Sequence, residues 1–172
     1  MAVRDVQQQT VYKWEGEWEA WVTREFLTVS RPRELVRRAC KRYRVPPPVV
    51  KGHHRVTGGT SFYEPNLHRI ELRKRHWNVA IALHEAAHAI TDWLIGPDQP
   101  AHGPEWMAVY LDLLATYKVA PRVALEASAR AHGIRWSRAA GPREFKRLHK
   151  RRIRVARRER ENRARYKRTS RV

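Results

Sequence analysis

Between Trp77 and Ile95 the chain reads WNVAIALHEAAHAITDWLI. Ile81, Leu83, Ala87, Ile90 and Leu94 recur at helical spacing, and Gly96, Pro97, Asp98 and Pro100 follow as stop signals, so one helix is expected here. In its middle stands His84-Glu85-Ala86-Ala87-His88. Side chains four apart lie one helical turn above each other on one face, so both imidazoles can reach a single ion. Glu85, beside His84, is then placed to take a proton from a metal-bound water, which can attack a carbonyl. The plainer alternative is a pair of polar residues on a helix face with no metal. The apolar flanks of the motif argue against it.

Two ligands do not complete a catalytic zinc site, which needs three protein ligands and one open position. His102 is the first candidate for the third. It stands in Ala101-His102-Gly103-Pro104-Glu105-Trp106, directly after the loop that ends the motif helix, where Gly103 allows close approach and Pro104 opens a new helix. Asp92, four residues after His88, could ligate or orient a ligand imidazole, and Glu105 is a further candidate. His53, His54, His68, His76, His132 and His149 lack such a context and read as surface or packing residues.

Outward from the motif, residues 5–28 read as a helix with Val11, Trp14, Trp18, Trp21 and Val22 on one face, tryptophans that core packing explains. A second helix is expected from Ser30 to about Arg44, ended by Pro46, Pro47 and Pro48. Residues 49–73 look extended, in about three runs: Val49 onward, Thr60 to Tyr63, and His68 to Leu72 with Ile70 and Leu72 inward and Arg69 and Glu71 outward. A small antiparallel sheet is the expectation. Helices from Pro104 to about Tyr117 and from Pro121 to near Gly133 follow, which makes the class α+β.

The 172 residues suit one domain with an appendage, here residues 1–141 and 142–172. Net charge is +19, yet residues 141–172 hold fifteen Lys or Arg against three acids (Glu144, Glu159 and Glu161), so the body is only moderately basic. An acidic solvating protein is excluded. Cys40 is alone, so neither a disulfide framework nor a Cys-based zinc ribbon is expected. Met1 to Gln9 has no apolar stretch of signal-peptide length, and no window reaches 18 apolar residues; a cytoplasmic, reducing compartment is the simplest expectation. The tail reads as a helix from about Pro142 to Arg165, docked at its start. Its arginines, among them Arg147, Arg151, Arg152, Arg154, Arg157 and Arg158, lie on all faces and repel one another. A nucleic-acid backbone would relieve that repulsion by counterion release; a solvated extension or an anionic membrane surface are the alternatives.

The order His84-Glu85-x-x-His88, short spacer, His102-Gly103-Pro104-Glu105-Trp106 resembles the SprT-like zinc metallopeptidases, a family that includes DNA–protein crosslink proteases. The likeness covers about residues 75–118. The start of the chain, Arg4-Asp5-Val6-Gln7 followed by Val11-Tyr12, is similar to small metallohydrolases of actinobacteria and their phages. The resemblance implies His84, His88 and His102 as zinc ligands and Glu85 as general base. It also implies a minimal zincin fold, whose motif helix packs on a small sheet with an edge strand able to hold an extended peptide. The Cys-rich ribbon that some members carry has no counterpart, and the basic tail stands in its place.

The expectation is therefore a zinc-dependent hydrolase, first of all a peptidase, held near nucleic acid by its tail. The rival is a nucleic-acid-binding protein with a structural or vestigial zinc site; a hydrolase of another amide bond, such as a cell-wall peptide link, is a third reading. The residue that stabilises the oxyanion is not legible, although Tyr110, His132 or an arginine could assist.

Overall fold

The structure, a computed structural model, describes residues 5–19, 28–53, 59–74, 77–96 and 99–138, together with 142, 143, 145, 147, 150, 153 and 154. Five helices and a three-stranded mixed sheet make an α+β fold. The helices are α1 (Gln8–Glu19), α2 (Ser30–Tyr43), α3 (Val79–Ile95), α4 (Pro104–Thr116) and α5 (Arg122–Ala131). The strands are β1 (Val49–His53), β2 (Phe62–Glu64) and β3 (Arg69–Arg73), with a 3-10 turn at Pro65–Leu67.

The motif helix α3 is the centre of the fold. Asn78 caps it by accepting from the Ile81 N–H at 2.8 Å, and Gly96 (φ 103°) ends it in a conformation that side chains rarely adopt. Ala80, Ala82, Ala86, Ala87 and Ala89 are all buried, and such small residues let neighbours come close. The neighbours are α2, α4 and the strand β2.

The sheet order is β1-β3-β2. The turn at Pro65–Leu67, closed by His68 in the left-handed region (φ 44°), folds β2 back antiparallel on β3. The expected all-antiparallel sheet is corrected at its other edge, where β1 pairs parallel with β3, Val50 opposite Ile70. The chain between β1 and β2 reverses before the hairpin does, and two reversals leave β1 and β3 pointing the same way. Central placement of β3 also changes its burial. Ile70 and Leu72 face the core as expected, but Glu71 is buried too, held by Arg69 Nε at 2.8 Å and by the His53 ring.

Helix α1 lies within the expected 5–28, and Trp21 and Val22 lie outside the described residues, as does the side chain of Trp18. Trp14 is core, as its spacing implied: it is buried, packs against Tyr110 and donates from Nε1 to Ser128 Oγ at 3.1 Å. The described residues from 142 to 154 are helical. Phe145 joins the core there with no exposed surface, its ring edge-on to Tyr43 at 6.0 Å. The tail is thus docked at its start by one aromatic side chain. No helix among the described residues is long and apolar enough to cross a membrane. Phe145→Ala should lower unfolding free energy by about 3–5 kcal/mol, read as a lower denaturant midpoint at unchanged slope.

Candidate metal centre

Helix α3 presents His84 and His88 one turn apart, and the loop after Gly96 returns the chain so that His102 meets them. That return is tight. The Gly103 N–H bonds the Pro100 carbonyl at 2.9 Å, and a Cβ on Gly103 would stand 3.1 Å from that same oxygen. Pro104 then opens α4 in the first helical position.

The three imidazoles converge through Nε2. His88 Nε2 lies 3.1 Å and His102 Nε2 3.3 Å from His84 Nε2. Among the described residues, His84, His88 and His102 form the group whose ligating atoms lie within 4.8 Å of one another, close enough to bind a metal ion. His84 and His102 are buried and His88 half-buried. Asp92 and Glu105 stand outside the cluster; Asp92 instead accepts from the Tyr63 hydroxyl at 3.1 Å.

What lies behind the ligands decides how they are used. Glu15 Oε1, from α1, is 2.6 Å from His84 Nδ1. Asp5 Oδ2 is 2.7 Å from His102 Nδ1 and also accepts the His102 backbone N–H at 3.0 Å. Gln7 donates to the His102 carbonyl at 2.6 Å and to that of Arg135 at 3.1 Å. A carboxylate at Nδ1 places the ring proton there and leaves the Nε2 lone pair for a metal. Lone pairs that face one another at such short range repel unless a cation sits among them. The donor set and its carboxylate backing therefore fit a metal bound by three neutral imidazoles. Burial, joined by the positive charge of its neighbours, holds the His88 pKa well below its ordinary value. Burial likewise lowers His102, with Asp5 pulling the other way. Trp106 forms the floor, its ring centroid 4.9, 5.1 and 4.7 Å from those of His84, His88 and His102.

Glu85 projects beside this cluster. It is buried, and its Oε2 has no hydrogen-bond partner among the described residues. Burial pushes its carboxyl up to about 7, against the opposing influence of His84 and of the Tyr63 backbone. A cavity of about 220 Å³ opens against His84 and Glu85, lined also by Tyr12, Thr60 and Ser61. A second, of about 120 Å³, borders His88, with Tyr63, Thr91 and Asp92 in its wall. Glu85 and one member of the cluster, His84, thus border the same cavity.

His53, His68 and His132 lie elsewhere, bonded to Glu71, Tyr63 and Glu17 respectively; His54, His76 and His149 fall outside the described residues. Of the tail arginines, Arg147 and Arg154 are exposed, while Arg151, Arg152, Arg157 and Arg158 fall outside the described residues. Sequence reasoning missed Asp5, Gln7, Tyr12 and Glu15 as parts of the site. For Glu15 a signal existed: it follows Val11 by four residues and so sits at an inward-facing position of an apolar stripe. No family model, curated protein or solved structure matches this chain.

Removing a carboxylate behind a ligand should weaken metal binding without abolishing the fold. Glu15→Gln and Asp5→Asn are each expected to lower metal affinity about 10- to 100-fold, measured by competition with a chromophoric chelator. Affinity unchanged in both variants would mean that the two carboxylates do not tune the ligands.

Proposed function

We propose that this protein is a zinc-dependent hydrolase, and a metallopeptidase in the manner of the SprT-like proteins that its motif resembles. The observation that carries the reading is the buried, unpartnered Oε2 of Glu85 beside a cavity that it shares with His84, one member of the His84–His88–His102 cluster. Three imidazoles suit zinc, which when bound would polarise a carbonyl and ease the ionisation of water. Glu85 Oε2 takes the proton from the attacking water and passes it to the leaving amine. His84, His88 and His102 hold the ion, and Asp5 and Glu15 keep two of the rings in the tautomer that lets them do so.

The test separates metal binding from chemistry. In Glu85→Gln the side-chain volume is kept and the proton acceptor is removed. Hydrolysis of an unfolded protein such as casein should fall about 10²- to 10⁴-fold while zinc stoichiometry stays at the wild-type level. Full activity in that variant would sink the mechanism. An inert zinc in a wild type that cleaves nothing would favour the nucleic-acid-binding reading.

The basic tail is proposed to hold the enzyme near nucleic acid by neutralising phosphates. Exposed Arg147, Lys150 and Arg154 support this. Because Phe145 belongs to the core, the clean truncation removes residues 155–172 only. Affinity for duplex DNA should fall, and the slope of log affinity against log salt should flatten by about 0.9 for each phosphate that the shortened tail no longer neutralises. Equal affinity and slope would place the binding surface elsewhere.

A further inference from the structure

We propose that Tyr12 is a further catalytic residue, whose hydroxyl donates a hydrogen bond to the scissile carbonyl oxygen as it gains negative charge. The proposal rests on the hydrolase reading above. Tyr12 is 45% exposed, yet its ring stacks on that of His84 (centroids 6.2 Å apart, planes 28° apart) and meets His102 edge-on at 5.1 Å. Two of the three candidate ligands thus hold the ring. Tyr12 also lines the 220 Å³ cavity, together with His84 and Glu85.

The hydroxyl is placed as a donor. Its oxygen accepts from Gln8 Nε2 at 3.2 Å, and among the described residues no acceptor takes its proton. The proton is therefore available to an incoming oxygen. The other groups that could have served are committed elsewhere. Tyr110 is buried, with its hydroxyl on the Ala80 carbonyl at 3.4 Å. His132 bonds the Ser128 carbonyl and Glu17, each at 2.9 Å, on α5.

In the reaction the water oxygen forms a bond to the carbonyl carbon, and the π electrons move onto the carbonyl oxygen. Tyr12 meets the new charge with its O–H and keeps its proton. Glu85 carries the water proton to the amine nitrogen, the C–N bond breaks, and the carbonyl re-forms as a carboxylic acid. Tyr12 contributes only in the charged state, so its removal should lower kcat rather than raise KM.

Tyr12→Phe removes one oxygen and retains the ring packing. With casein as substrate, kcat should fall about 10²-fold with KM within about twofold, while zinc stoichiometry and Tm hold. The second readout is binding of an N-phosphoryl-leucyl-tryptophan dipeptide, whose tetrahedral phosphoryl oxygens mimic the oxyanion. Its affinity should drop about tenfold or more. A wild type that binds this dipeptide but cleaves nothing, with Tyr12→Phe still weakening binding, would end the peptidase reading and uphold the donor. Unchanged kcat and dipeptide affinity in Tyr12→Phe would overturn the proposal. So would loss of zinc in that variant, which marks a structural role, or a wild type that neither cleaves casein nor binds the dipeptide.

Discussion

The contact between the Glu15 carboxylate and His84 Nδ1, repeated by Asp5 at His102, is the constraint on which the site depends. Both carboxylates are largely removed from water, with side chains 10% and 15% exposed. A buried carboxylate is costly unless charge and hydrogen bonds answer it. An N–H from a neutral imidazole answers part of the cost, and a cation on the far nitrogen of the same ring answers more. A cation bound there would extend the pairing of carboxylate and imidazole, each member making the next more favourable. Glu85 adds a third acid to the same cluster of side chains.

The same contacts carry α1 into the rest of the fold. On one side of that segment Asp5, Tyr12 and Glu15 meet the ligands. On the other, Trp14 bonds Ser128, and Gln7 both donates to the Arg135 carbonyl and accepts its N–H at 3.2 Å. The partners of Gln7 are separated from it by 95 and 128 residues in sequence. The segment that braces the cluster is therefore itself tied to the chain beyond α5. Metal binding and closure of the N-terminal segment should be coupled, since a site that exists only in the folded chain turns binding energy into folding energy.

Local patterns make much of this visible in the sequence alone. The motif helix, its stop at Gly96 and the reopening at Pro104 are written in neighbouring residues, and so is the approach of His102, because a short loop between two helices leaves few paths. The direction of β1 is not legible, since it is set by the route of residues outside the strand. Glu71 shows a related limit. Alternation assigns it to solvent, but a strand flanked on both edges and covered above and below buries both faces. Asp5 and Glu15 are harder still. Asp5 precedes α1 and Glu15 lies on its inward stripe, but only the arrival of His84 and His102 from far along the chain gives these two a role.

Charge then takes two forms in one molecule. The formal excess of +19 is a surface property, concentrated in a tail that begins beyond the helices of the body. Around the ligands the sign is reversed, with Asp5, Glu15 and Glu85 within one cluster of side chains. A field from distant, solvated arginines is screened within about 8–10 Å at ordinary ionic strength, whereas buried pairs are screened far less. Burial is accordingly the leading influence on Glu85, despite the basic character of the whole. Phe145 joins the two regimes, seating the first turn of the tail in the core while the exposed arginines after it remain in water. A polyanion gathered by the tail would thus change where the protein sits, and would leave the electrostatics at Glu85 to the groups that touch it.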